Sequence, residues 1–201
     1  AQAAKANLSG NLPRIKQKKL VEQQLIVGWS RKAPLVVDEY SQYLVRGSAI
    51  DVVAAPDALS AREALQELSR RHRSIKIRYL DLDIHDLPAM RSLRPEKYDN
   101  VIILKGDGGD PELRDSETIA TLLEFRHHFK SLGKKVKTQL ISEVADSENI
   151  EIIKEAGVQD FLISNKFVSK IYAQAAEEPE ILKAFEELFS EAGSEIYIKP
   201  A

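Results

Sequence analysis

The sequence contains no cysteine, which excludes disulfide scaffolds, thiolate zinc sites and a cysteine nucleophile. It also lacks long apolar runs, so no segment has the length that a membrane-spanning helix needs. The first residues show no apolar core of a signal peptide. Neither sign of charge dominates, because 29 Lys and Arg stand against 31 Asp and Glu, and we therefore predict no nucleic-acid partner. With 43% hydrophobic residues, the 201-residue chain can form an ordered core.

Charge is nevertheless unevenly distributed along the chain. Residues 1–24 carry five Lys or Arg and one Glu, whereas residues 177–195 carry seven Glu and one Lys. The simplest interpretation is a solvated leader and a solvated helix face, and the alternative places the leader beside a membrane surface or an acidic domain. We predict three segments, namely a basic leader over 1–24, a sheet domain over 25–163 and a helical extension over 164–201.

The middle segment alternates between short apolar strands and amphipathic helices. The six predicted strands are 25–27, 49–55, 75–82, 101–104, 135–144 and 158–163. The intervening helices are predicted to begin at Pro34, at a capping box on Ser60, at Asp115 or Ser116, and at Ser147. This alternation indicates βαβ units with right-handed crossovers, and hence an α/β fold with a doubly wound, Rossmann-like parallel sheet.

The helical extension has a different pattern. It contains two consecutive amphipathic helices, over 165–177 and from Ile181, followed by a final strand over 195–199. One apolar face of the second helix consists of Ile181, Leu182, Phe185, Leu188 and Phe189. Because the sheet is already complete, this face must pack either on its own domain or on a second chain. We predict the second arrangement, in which these five residues form a dimer interface.

The first strand–helix turn is the place where a Rossmann domain binds a nucleotide. The pattern G-x-G-x-x-G that this requires is reduced to Gly28-Trp29-Ser30-Arg31-Lys32-Ala33, which keeps only the first glycine. The second strand also ends in Ala54-Ala55-Pro56, without the carboxylate that would bind a ribose. We therefore predict a degenerate nucleotide turn at Gly28, Trp29, Ser30 and Arg31 that does not bind NAD. Arg31 and Lys32 could still attract a phosphate or carboxylate, or form a solvated basic turn.

Acidic residues follow several of the predicted strands. Asp83 follows the third strand and Asp107 the fourth, and the carboxyl ends of parallel strands meet at one edge of the sheet. Carboxylates that lie close together attract a divalent cation, so we predict that these two residues hold an ion such as Ca²⁺. In the competing interpretation, Arg31 and Lys32 neutralise the acids.

The sequence offers no catalytic motif. Walker, G-x-S-x-G and H-E-x-x-H patterns are absent. His127 and His128 are adjacent and point different ways on a helix, while His72 lies in a basic run, 70–73, that is typical of a solvated helix end. We therefore predict no enzymatic activity.

Several strings resemble one known family, the CASTOR/POLLUX ion channels, and in particular their second RCK (regulator of K⁺ conductance) domain. They are Gly28-Trp29-Ser30-Arg31-Lys32, Gly47-Ser48, the stretch 115–126, and the closing stretch 160–200. The chain departs from the RCK pattern after the third strand, where Asp81-Leu82-Asp83 replaces a Gly-Asp pair.

This resemblance implies a cytosolic regulatory domain of a tetrameric cation channel. In the family, pore helices precede two RCK domains that form a ring beneath the pore, and ligand binding, with Ca²⁺ as one ligand, gates it. The two helices of the extension would be the dimer hinge, and the chain would be a fragment ending at the first strand of the C-terminal lobe. Two alternatives are a dinucleotide-dependent oxidoreductase and a ligand-free assembly module.

Overall fold

The computed structural model describes residues 20–55, 58–83, 85–107, 109–144 and 161–189. Its six strands are β1 (Gln23–Val27), β2 (Ala49–Ala54), β3 (Lys76–Asp81), β4 (Asn100–Ile103), β5 (Gln139–Val144) and β6 (Phe161–Ile163). They form one parallel sheet in the order β3-β2-β1-β4-β5-β6. This order confirms the predicted doubly wound sheet, because the chain returns to the centre after β3 and extends the sheet in the opposite direction.

The helices connect these strands and continue beyond them. They are α1 (Ala33–Tyr43), α2 (Leu59–Arg71), α3 (Leu87–Ser92), α4 (Pro111–Ser131), α5 (Ser164–Glu177) and α6 (Ile181–Phe189), with a 3-10 turn at Pro95–Lys97. The helix predicted from Ser147 and the final strand predicted over 195–199 lie outside the described residues.

Two apolar cores cover the two faces of the sheet. Alternate residues of a strand point to opposite faces, and neighbours such as Leu25 and Ile26 of β1 accordingly belong to different cores. Leu25 packs in the core that includes Leu122 of α4, whereas Ile26 packs in the core that includes Val37 of α1 and Leu65 of α2. Since α1 and α4 cover opposite faces, the chain leaves the neighbouring strands β1 and β4 towards opposite sides of the sheet.

Two predicted helix starts are wrong. The capping box at Ser60 does not form, because α2 begins at Leu59 and no side chain caps its first turn. Helix α4 begins at Pro111 rather than after Asp115 or Ser116, and the carboxylate of Asp110 caps it by accepting a hydrogen bond of 3.0 Å from the backbone of Glu112. Proline suits the first position of a helix, where its missing N–H has no partner to lose.

Strand and helix lengths also differ from the predictions. Strand β5 begins at Gln139 instead of residue 135, and α1 ends at Tyr43, before the predicted stop at Gly47. The short helix α3 was not predicted, and it is capped by the side chain of Asp86, which accepts from the backbone of Ala89 at 3.1 Å.

Helices α5 and α6 leave apolar side chains exposed. These are Phe167, Val168 and Tyr172 on α5, and Leu182 and Leu188 on α6. Ile181 and Phe185 of α6 are half-buried. Among the described helices, none combines the length and the apolar character that crossing a bilayer requires.

Candidate functional site

A cleft of about 270 Å³ lies at the carboxyl ends of the central strands. The turn after β1, the loops after β2, β3 and β4, and the first three turns of α4 all contribute to its walls. The polar residues among its lining are Asp83, His85, Asp107, Arg114, Glu117, Thr118 and Thr121. The cleft lies where the chain leaves β1 and β4 towards opposite faces of the sheet, which is the position at which doubly wound sheets bind ligands.

Gly28 brings the two halves of the sheet together at the base of this cleft. Its φ is +96°, and a Cβ atom at this position would lie 2.5 Å from the carbonyl oxygen of Leu104. Its backbone N–H donates to the carbonyl of Val53 at 3.0 Å. Only glycine fits here, because any other residue would combine an unfavourable φ with a backbone clash.

The next two residues of the turn differ from those of a dinucleotide site. Trp29 lines the cleft, and Ser30 is buried with its hydroxyl lacking a hydrogen-bond partner. Ser30 stands where a glycine would let the backbone approach a pyrophosphate, and Ala55 lines the cleft where an acid would bind a ribose. These side chains are consistent with the prediction that the turn does not bind NAD. It stays a prediction.

The two cations of the turn are paired with acids from the other half of the sheet. The backbone N–H of Arg31 donates to Oδ2 of Asp107, and Nε of Arg31 lies 3.7 Å from the same oxygen. Nζ of Lys32 pairs with Oε1 of Glu143 at the end of β5. The sequence left open whether Arg31 and Lys32 are solvated, attract a ligand or neutralise the strand-end acids. The described contacts match the last of these interpretations.

Asp83 and Asp107 line the same cleft, as their positions after β3 and β4 predict. Asp83 accepts a hydrogen bond of 2.9 Å from the backbone of His85, while Asp107 is engaged by Arg31. In the described part of the chain, no group of three or more His, Asp or Glu side chains is placed to hold a metal ion. The assignment of Asp83 and Asp107 to a cation stays a prediction.

Two charged residues of the cleft were missed by the sequence analysis. Arg114 and Glu117 line it from α4 and are joined by a hydrogen bond of 2.8 Å between Nη1 and Oε2. They were missed because α4 was predicted to begin after Arg114. The Asp110-Pro111 pair was the available signal, since an acidic cap followed by proline is typical of a helix start.

The run 70–73 does end α2, with Arg71 and Arg73 exposed as predicted, but the ring of His72 is not solvated. Its ring is largely buried, and Nε2 lies 2.6 Å from Oδ1 of Asp38 on α1. The hydrogen bond to His72, together with the nearby Arg71, lowers the pKa of Asp38, and the partial burial of this carboxyl opposes that effect only in part. The contact joins α1 to the end of α2 and is remote from the cleft lining.

The sequence is similar to plant ion channels along almost all of its length. It is 25% identical to the ion channel DMI1 of Medicago truncatula, in an alignment that covers 96% of the chain and 25% of that channel. It is 26% identical to the ion channel POLLUX of Lotus japonicus, with 96% of the chain and 25% of that channel covered. The chain is related to the CASTOR/POLLUX ion channels. The resemblance found in the sequence is thereby confirmed.

The chain spans about a quarter of the length of these CASTOR/POLLUX relatives. No family model matches it. Among solved structures, it is similar to the AMP-bound form of the Kef CTD of Shewanella denitrificans, with a TM-score of 0.46 and 14% identity over 80% of this chain and 81% of that one. The fold class rests on the strand order of the chain itself.

Proposed function

We propose that this chain is a non-enzymatic regulatory domain of a cation channel, in which a small ligand bound in the cleft changes the conductance of a pore domain in the same polypeptide. The observation that carries the proposal is the similarity to ion channels, which extends over 96% of the chain. A cleft at the switch point of the sheet supplies a place for the ligand.

The position of the cleft suits a sensing function. Gly28 and Trp29 line it from the β1 side, whereas Asp107 and Arg114 line it from the β4 side. A ligand between these two walls contacts both halves of the sheet. It therefore stabilises the relative position of the two walls that it fits best. A ligand can shift a conformational equilibrium only through such a difference in affinity between two states.

The same proposal assigns assembly to helices α5 and α6. Their exposed apolar residues would pack against the same helices of a second chain, as the hinge of an RCK dimer, and dimers would form a tetrameric ring at the cytoplasmic face of a membrane. The support within the chain is the exposure of Phe167, Val168, Leu182 and Leu188. Phe189, which belongs to the predicted interface, ends α6, and its side chain is outside the described part.

The two alternative functions have less support. A dinucleotide-dependent oxidoreductase needs glycines where Ser30 and Ala33 stand and an acid where Ala55 stands. A ligand-free assembly module would have no use for a cleft with charged walls, although it would share the exposed faces of α5 and α6.

The proposal can be tested on the full protein that contains this chain, reconstituted in planar bilayers. Current is recorded while CaCl₂, adenosine or AMP is added at millimolar concentration to the side that carries the domain. Ala55→Trp fills the cleft with a side chain at an exposed lining position. Leu35→Trp places the same side chain at an exposed position of α1 outside the lining, and serves as the control.

We expect at least one probe to change the open probability of the native channel and of Leu35→Trp, but not that of Ala55→Trp. A protein that carries no cation current contradicts the channel assignment. A response that persists in Ala55→Trp contradicts the assignment of the cleft, and currents that no probe changes leave the ligand-free module as the better description.

A further inference from the structure

The turn after β1 already holds an anion that belongs to the chain itself. In nucleotide-binding sheets, backbone N–H groups of this turn and the start of the following helix bind phosphate. Here the N–H of Arg31, in that turn, donates to the carboxylate of Asp107, and the guanidinium of Arg31 lies beside the same oxygen. Asp107 also lines the cleft. A carboxylate therefore occupies the position at which a ligand phosphate would bind.

We propose that Asp107 is a built-in anion that excludes phosphorylated ligands from the cleft and restricts it to uncharged or cationic molecules. This inference deepens the proposed function, since it names the ligand class of the same cleft. An incoming phosphate would meet the negative charge of Asp107 at close range and would have to displace it from Arg31. Two negative charges in close contact repel each other.

The second cation of the turn does not offer an alternative phosphate site. Lys32 is paired with Glu143, whose side chain is only 9% exposed. Moving Lys32 to a ligand would leave a buried carboxylate without its cation, which is costly. Both cations of the turn thus lie beside acids from the β4–β5 half of the sheet, Lys32 in a close pair with Glu143 and Arg31 with a side chain that is 92% exposed.

The remaining charges of the cleft favour the same ligand class. Asp83 adds a second carboxylate to the wall, and Glu117 accepts from Arg114 at 2.8 Å. At about 270 Å³, the cleft is close to the lower end of the range in which small-molecule sites are found, roughly 300 Å³ and above. A molecule of nucleoside size without phosphate groups fits both the volume and the charge.

The experiment measures binding of AMP, adenosine and pyrophosphate to the 201-residue chain by isothermal titration calorimetry. Asp107→Ala removes both the charge and the acceptor, whereas Asp107→Asn removes the charge and keeps an acceptor for the N–H of Arg31. Asp81→Ala is the matched control, because Asp81 also lies at the carboxyl end of a strand, pairs with an arginine (Arg62, 3.5 Å) and is about as exposed as Asp107, but does not line the cleft. Thermal melts verify that each variant is folded.

We expect Asp107→Ala to bind AMP and pyrophosphate at least about tenfold more tightly than the native chain, the gain that one charge-assisted hydrogen bond supplies. Asp107→Asn should show part of this gain, and it replaces the alanine variant if that one does not fold. Asp81→Ala should show none, and adenosine should bind all variants alike. The proposal is overturned if the folded Asp107 variants gain no affinity for either phosphate compound, or if Asp81→Ala gains as much.

The result of the calorimetry is independent of the channel recordings that test the proposed function. The calorimetry concerns the isolated chain and its preference between charged and uncharged probes. A chain that gains phosphate binding through Asp107→Ala supports the inference even where the full protein carries no current, and a conducting channel does not rescue it if that gain is absent.

Discussion

Arg78 of β3 holds the carboxylate of Asp51 on the neighbouring strand β2 with two hydrogen bonds. They measure 2.5 Å from Nε and 2.6 Å from Nη2, and the hydroxyl of Tyr98 donates a third bond of 2.7 Å. The side chain of Asp51 is 3% exposed, whereas that of Arg78 is 54% exposed. The bond to Asp51 raises the pKa of Arg78, and burial, followed by the contact with Asp51, raises the pKa of Tyr98. The solvated guanidinium of Arg78 thus neutralises the buried carboxylate of Asp51.

We expect Arg78→Met to lower the free energy of unfolding by about 2–3 kcal/mol, because Asp51 would stay buried with only Tyr98 as a partner. Urea denaturation at neutral pH measures the loss. The control is Arg70→Met, which breaks an exposed pair with Glu67 at 3.5 Å and should cost less than about 1 kcal/mol. Equal losses in the two variants would show that the buried pair contributes nothing beyond a surface contact.

Gly28→Ala should destabilise the chain by about 2 kcal/mol or more, because the new Cβ meets the carbonyl oxygen of Leu104 at 2.5 Å on a backbone with φ of +96°. Gly133→Ala is the matched control, with φ of +62° and nothing within 4 Å of its new Cβ. It carries only the conformational cost, about 1 kcal/mol. Thermal melts of both variants separate the clash from the strain, and a Gly28→Ala chain as stable as the control would contradict the close approach.

Asp38→Asn should cost about 1 kcal/mol at pH 7, since it removes an ionised partner of His72 and Arg71. The pKa of Asp38 is lowered in the folded chain, so its carboxylate contributes stability above the unfolded value near 3.8, and this contribution is lost as the pH falls through the folded value. The stabilities of the native chain and the variant should therefore differ at pH 7 and converge only as the pH falls below the lowered pKa of Asp38 in the folded chain. A difference that does not change with pH would indicate a packing effect instead.

Leu182→Glu should weaken self-association of the chain at least about tenfold, because it puts an unpaired charge into the proposed helix interface. Leu182 is 46% exposed, so the change need not disturb the fold. Leu35→Glu, at a leucine of α1 that is 70% exposed, is the control and should leave association unchanged. Light scattering across a concentration series reports both, and a native chain that stays monomeric throughout contradicts the interface, as does equal weakening by the two variants.

The strands of the sheet could be predicted from sequence because each is a short apolar run bounded by turn residues. The run Leu25-Ile26-Val27 before Gly28 is buried on both faces, which is typical of central parallel strands. Helix starts were less predictable, because the first turn of α4 contains Asp110-Pro111, residues that also suit a loop. Leu122 and Phe125 of α4 are nevertheless both buried, at the three-residue spacing of one helix face.

The cleft could be located from sequence, but the partners within it could not. Gly28 marks the turn, and the acids after β3 and β4 predict a shared edge, which the structure confirms for Asp83 and Asp107. The pairing of Arg31 with Asp107 depends on loop geometry after β4, and that of Lys32 with Glu143 depends on the register of β5. Such long-range contacts leave no periodic signal in the sequence.

Among the described strands, β3 lies at one edge of the sheet, and this position has a consequence for aggregation. An edge strand presents unpaired N–H and C=O groups that can template pairing with another chain, and charged side chains oppose it. Of the six residues of β3, three are charged and exposed, namely Lys76, Arg78 and Asp81. Arg78, which neutralises Asp51, thus also opposes the pairing of β3 with a strand of another chain. Its loss would therefore favour aggregation through β3 as well as unfolding.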